Sequence, residues 1–210
     1  SAGTFAYNQY GTYVGVVNIA TNTMTASITM PKTIGYMAYA STQNELWALS
    51  TDGTALYVID CSTNTIDNTI DLSANADGIG KGIGYSVTSN RIILIRVASS
   101  VWFNASTHAQ LGRYTALNNN QSMDIDETGL WAYIARHTGT DNIVQRFQIS
   151  NATTAATVSY FLSASVVDAK LFAMNGFAYV SQPGTNRTVK VDMFGGTANT
   201  LIGLNTVKLI

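Results

Sequence analysis

A pair of aromatic or branched residues, two positions apart, recurs five times along the chain. The copies are Phe5/Tyr7, Trp47/Leu49, Ile93/Ile95, Trp131/Tyr133 and Phe177/Tyr179, at intervals of 42, 46, 38 and 46 residues. Repetition at such a period constrains a fold more than local propensity does. Each unit is a supersecondary element that cannot bury its apolar face alone and must stack on its neighbours.

A second segment follows each pair after a polar turn: "YVGVVNI", "ALYVIDC", "SVWFNAS", "NIVQRFQI" and "TVKVDMF". Its Asn18, Asp60, Asn104, Gln148 and Asp192 recur at 42, 44, 44 and 44 residues. Then come "TASITM", "NTIDLS", "GRYTAL", "ATVSYFL" and "NTLIGL", and a fourth type precedes the next pair: "IGYMAYA", "GIGYSVT", "SMDID", "AKLFAM" and "TVKLI". All are short, rich in Val, Ile, Thr and aromatics, and bounded by Gly, Asn, Asp or Ser, which is the strand signature. No stretch holds a helical apolar period.

Four strands in a unit of about 42 residues is the arithmetic of a β-propeller blade. The expectation is therefore one all-β domain over 1–210, a five-bladed β-propeller with four antiparallel strands per blade. The ring is expected to be closed by the N-terminal strands completing the blade begun by "TVKLI" at 206–210. Such closure removes exposed strand edges and ties both ends into one sheet.

Two units carry a more specific likeness. "VVNIATNTMTASITM" and "YVIDCSTNTIDNTIDL", within residues 14–30 and 57–72, resemble the core of the YVTN-type propeller repeat. The other units keep the spacing and lose the letters, as in "VWFNASTHAQLGRY". The resemblance implies surface-layer or secreted proteins that mostly bind or build, with some enzymes on related propellers. The Thr-Asn turn itself reads as structural, since Asn tolerates the left-handed conformation and both side chains satisfy local backbone groups.

Charged residues make up 11% of the chain against a usual quarter, and the formal net charge is −1. The surface is polar through Ser, Thr and Asn, with no basic field for nucleic acid. No apolar run approaches the ~18 residues of a membrane helix. The lone Cys61 reads as a buried, inert thiol, and no internal disulfide can form. The first residue is Ser1, as in a processed chain or an excised domain.

In propellers, ligands sit at one end of the central channel, by fold-level analogy. The loops expected there place Tyr36, Asp77, Arg96, Asn119, Arg136, His137, Asp168 and Arg187 as candidate ligand-binding residues, with Lys32 beside them. "GIGKGIG" at 78–84 lacks the spacing of a phosphate loop and reads as glycines where inner strands crowd the axis. "DIDETG" at 124–129 opens like a calcium loop but puts Ala135 where a bidentate Glu is required. His137 with Arg136 and Asp141 is the densest ionisable set and also a plausible hairpin turn. His108 sits toward the outer rim, and two His with one Cys make no closed metal site.

Glycosidase chemistry needs two facing carboxylates, and the axial candidates are Asp77, Asp124, Asp126 and Asp168. Four sequons match chance for this composition and say nothing of glycosylation. Trp47, Trp131 and Phe177 read as packing between blades; Tyr10, Tyr13 and Tyr36 are placed to stack on a ligand.

The expected function is a non-catalytic binding or structural module of a cell surface, virion or secreted assembly. It would contact carbohydrate or protein, copies of itself included, with no cofactor, metal, nucleic acid or membrane insertion. The alternative is a propeller glycoside hydrolase or lactonase-like hydrolase with its site at the channel mouth.

Overall fold

A computed structural model describes residues 5–75, 77–115, 119–137, 142–150, 158–162, 166, 168–183, 187–195 and 198–201. These residues form five antiparallel sheets with no α-helix. The first sheet holds β1 (Phe5–Tyr10), β2 (Tyr13–Asn18) and β3 (Thr23–Thr29). The second holds β4 (Ile34–Ala40), β5 (Glu45–Ser50), β6 (Ala55–Asp60) and β7 (Thr65–Asp71). β8 (Gly80–Ser86), β9 (Arg91–Arg96), β10 (Ser99–Asn104) and β11 (Gln110–Tyr114) make the third. The fourth is β12 (Asn120–Ile125), β13 (Trp131–His137), β14 (Asn142–Gln148) and β15 (Val158–Leu162). The fifth is β16 (Leu171–Met174), β17 (Phe177–Gln182), β18 (Arg187–Asp192) and β19 (Ala198–Leu201).

Within every sheet the strands lie in chain order, and the first strands β4, β8, β12 and β16 stand beside one another in succession. One apolar core fills each gap between consecutive sheets. Ile28, Leu46 and Ala48 pack between the first and second, Trp47, Leu49 and Phe103 between the second and third. Trp102, Ile134 and Phe147 lie between the third and fourth, Tyr133, Val144 and Val180 between the fourth and fifth. Because strand side chains alternate, Leu46 and Trp47 face opposite cores from adjacent positions of β5, and that strand is buried on both faces.

The recurrent Asn and Asp residues are turn caps. Oδ1 of Asn18 accepts from the N–H of Ala20 at 2.9 Å, Asp60 from Ser62 at 2.6 Å, Asn104 from Ser106 at 2.9 Å and Asp192 from Phe194 at 2.9 Å. Four residues on, Asn22, Asn64 and His108 adopt φ of 51°, 57° and 58°, the left-handed region where Asn is favoured. His108 thus fills the Asn position of the third unit. Its ring bonds Glu45 across the gap between sheets, Nε2 to Oε1 at 3.1 Å, and meets the Asn68 amide at 3.2 Å.

The glycines of "GIGKGIG" are required by close approach. A Cβ on Gly82 would stand 2.6 Å from Met123 Cγ, one on Gly80 2.8 Å from Leu49 Cδ2, and one on Gly84 2.8 Å from Ile125 Cδ1. Gly82→Val should therefore lower the unfolding free energy by about 1–3 kcal/mol, measured by denaturant unfolding, as overpacking of a core does.

The first and fifth sheets each keep one open face. On the first sheet Tyr13 is 47% and Met24 68% exposed, and with Asn8, Tyr10, Gly15, Val17 and Ser27 they line a groove of about 360 Å³. On the fifth, Phe172 and Met174 are exposed and Phe177 is half-buried under the Lys190 ammonium, 3.7 Å from its ring centre. Phe177, expected between blades, has no further sheet packed on it among the described residues. Trp131 is also only half-buried, with the Arg146 guanidinium 4.3 Å from its ring centre and 4.1 Å from that of Phe194, the two rings standing edge to face. Cys61 is free and half-buried rather than fully enclosed. The segment 206–210 lies outside the described residues.

Candidate functional site

The end of the sheets where the first strands begin gathers the loops ahead of those strands and the turns between second and third strands. At this end β4, β8 and β12 share an irregularity. Pairing with the second strand slips between Ile34 and Tyr36, between Gly80 and Gly82, and between Asn120 and Ser122. Gly35, Lys81 and Gln121 are the extra residues. A β-bulge re-aims side chains and kinks the strand, so three adjacent first strands turn at one level.

Around this level several candidate residues come together. The N–H of Asp168 donates to Gln121 Oε1 at 3.2 Å, and Gln121 Nε2 donates to the carbonyl of Asn119 at 3.1 Å. Asn119 and Asp168 are exposed, with left-handed φ of 56° and 57°. Tyr36 is half-buried; burial pushes its phenol up, and the Asp168 carboxylate adds to the shift. The Tyr36 phenol of the second sheet thus lies within the field of the Asp168 carboxylate at the entry to the fifth.

Asp77 and Arg96, expected to face a ligand, are instead 5% and 1% exposed and bind each other. Asp77 also pairs with Arg113, whose Nε donates to Oδ2 at 2.9 Å, and accepts from Ser99 Oγ at 2.6 Å. Burial alone would push Asp77 up, but the hydrogen bonds of Arg113 and Ser99 and the two guanidinium charges hold it below the usual carboxylate range. Arg96 Nη1 reaches the carbonyls of Gly53, Leu72 and Asn75 at 3.1, 3.0 and 3.2 Å, tying the second sheet to the third. The Asn120 amide donates to the carbonyls of Arg96 and Ser99 at 2.8 and 3.3 Å, adding the fourth sheet. This cluster joins three sheets and leaves the carboxylate no room for acid–base work.

The remaining candidates are separate. Arg136 donates to Gln145 Oε1 at 2.9 Å, and its burial lowers its pKa. His137 Nδ1 lies 2.9 Å from Asn142 Oδ1. Asp141 lies outside the described residues, so the expected His-Arg-Asp set is not described as a whole. Arg187 is exposed at the start of β18, and Lys32 pairs with Asp52 at 2.8 Å.

The other axial carboxylates serve the backbone. Asp124 Oδ2 accepts from the N–H of Ala173 at 2.8 Å, between Ser122 Oγ on Leu171 N–H at 3.1 Å and Glu127 Oε1 on Asn175 N–H at 2.7 Å. Side chains of the fourth sheet thereby take N–H groups of the fifth sheet's first strand and the residue after it. Asp126 closes its own turn, accepting from Thr128 Oγ1 at 2.6 Å and Trp131 N–H at 3.1 Å. No cluster of three or more potential metal-ligating side chains occurs among the described residues. Nor does any helix there have the length and apolarity to cross a membrane.

Lys81 and Gln121 close two of the loops expected at this end, 73–81 and 118–121, without being singled out within them, and Arg113 was not expected there. Lys81 and Gln121 occupy equivalent bulged positions, a signal available only once the first strands are aligned by register. Arg113 carries no local mark.

No protein-family model matches the chain, and no curated protein is recognisably similar to it. Solved structures are: 1217 chains resemble it, so the architecture is widespread and does not single out an activity. Among them is hydrazine synthase of Kuenenia stuttgartiensis, with a TM-score of 0.82 at 13% identity over 95% of this chain. The match spans 63% of the hydrazine synthase chain. At that identity the likeness is one of fold.

Proposed function

We propose that the five sheets are the blades of a five-bladed propeller that works as a non-catalytic binding or structural module. It would sit on a cell surface, on a virion or in a secreted assembly and contact carbohydrate or other protein subunits, copies of itself included. In this reading 206–210 supplies the first strand missing from the first sheet, beside β1, and the open faces of the first and fifth sheets meet. The apolar side chains on both faces support closure, since Tyr13, Val17 and Met24 would gain the cover that Phe103 gives Trp47. The match to the fold of hydrazine synthase, a propeller-containing protein, supports the blade assignment.

The observation that carries the binding reading is the contrast at one end of the sheets. Asp77 is saturated by two arginines and a serine, while Tyr36, Lys81, Asn119 and Asp168 lie partly or fully exposed around the bulged first strands. A sparse set of polar groups, one cation and one carboxylate among them, with an aromatic ring suits saccharide or protein contact. A hydrolase at the mouth needs two carboxylates facing each other, and of the axial candidates Asp77, Asp124 and Asp126 are engaged by arginines or backbone N–H groups while Asp168 alone is exposed.

A glycan array run beside light scattering tests the reading. Saturable binding to a defined sugar, or a defined particle larger than one chain, is the expected result. A monomer that binds nothing on the array and cleaves a glycoside would overturn it.

A further inference from the structure

The charges of this nearly neutral chain are sorted by end. Divided at the middle of the strands, seven described cations lie at the first-strand entry: Lys32, Lys81, Arg96, Arg113, Arg136, Lys170 and Arg187. Four acids accompany them: Asp52, Asp71, Asp77 and Asp168. The opposite end holds the other three described cations and seven acids. A surplus of positive charge therefore surrounds the bulged first strands, and a surplus of negative charge lies at the far end.

Most of these cations are committed. Lys32 is paired with Asp52, Arg96 and Arg113 with Asp77, and Arg136 with Gln145. Lys81 has no ion-pair partner among the described residues, and it is the bulged residue of β8, between the bulges of β4 and β12. A lysine without a carboxylate partner leaves its charge uncompensated, and that charge attracts an anion arriving from solvent. On one side the neighbouring first strand carries Tyr36, whose ring packs partly against the core between the second and third sheets. On the other are Gln121, Asn119 and Asp168, which supply amide and carboxylate groups for hydroxyls.

We propose that this mouth binds an acidic saccharide, with the sugar carboxylate at Lys81, the ring against Tyr36 and the hydroxyls at Gln121 and Asp168. The proposal rests on the binding reading above and narrows its ligand. Asp168, the exposed acid nearest Gln121, favours a monoanionic sugar over a dianionic phosphate, which it would repel more strongly, and it gives sugar hydroxyls a strong acceptor.

Calorimetric titration of the whole chain with a neutral oligogalactoside ended by one galacturonate, an all-neutral oligogalactoside of equal length, free galacturonate and inorganic phosphate tests it. The acidic oligomer should bind and the neutral one bind at least tenfold more weakly, with affinity falling as salt rises. Lys81→Gln should cost about tenfold in affinity for the acidic oligomer at unchanged melting temperature. Tyr36→Phe should retain binding and Tyr36→Ala lose it. Equal binding of the neutral oligomer, or an unaffected Lys81→Gln, overturns the acidic specificity and leaves the binding module standing. Phosphate displacing the oligomer as well as free galacturonate does overturns sugar recognition in favour of a bare anion site. Binding of neither oligomer overturns the proposal, and the scattering result then decides the module reading separately.

Discussion

Asp77→Ala is expected to lower the unfolding free energy by about 3–5 kcal/mol, enough to unfold a marginal domain. The carboxylate is the counter-ion of two arginines, and Arg96, 1% exposed, keeps its charge in the interior when Asp77 is gone. Its three carbonyl contacts pin the guanidinium in place, so it cannot swing to water. Replacing the pair together, Asp77→Leu with Arg96→Met, should cost less than either single change, because no unpaired charge is left in the interior: Arg113, 28% exposed, can turn to water. Urea unfolding of the three variants measures this directly.

The same cluster sets an acid limit. A carboxyl held lower in the folded chain than in the unfolded one adds stability above its unfolded pKa of about 4. That contribution is lost as pH falls through the depressed folded value. Wild-type stability should therefore fall on acidification below about pH 4, and Asp77→Asn should show a shallower fall over that window.

Trp47→Ala carries the second large effect, about 3–5 kcal/mol. The indole is fully buried between the second and third sheets, 6.0 Å from the Phe103 ring and edge-on to His108 at 5.2 Å. Its N–H donates to Glu45 Oε2 at 3.1 Å, so the change leaves both a cavity and a carboxylate short of a donor. Trp131→Ala, at a half-buried ring, should cost less. Guanidinium unfolding of the two variants gives the comparison.

The repeat made the fold legible because its marks are local. Asn18, Asp60, Asn104 and Asp192 cap the same turn, and the left-handed Asn residues sit at fixed offsets from them. The crowding glycines of 78–84 could also be read, since alternate Gly in a strand leaves room for a neighbour. The site was legible only as an end of the sheets. Which side chains at that end turn inward depends on partners far away in sequence: Asp77 is buried because Arg113 reaches back 36 residues to it. Asp124 had the look of an axial acid, yet it holds a backbone N–H of the fifth sheet. Lys81 and Gln121 stand out through bulges, which the letters do not show.

Ring closure is tested most directly by crosslinking Asn8→Cys on β1 to Tyr179→Cys on β17, with Cys61→Ser removing the native thiol. Closure sets β1 against β17 as β9 stands against β5, with packed sheets about 10 Å apart. A bis-maleimide of that reach should then join the two positions within one molecule at high dilution, giving a single monomeric product by mass spectrometry. Crosslinks formed only between molecules, or none in a protein that melts like the parent, would contradict the closed ring.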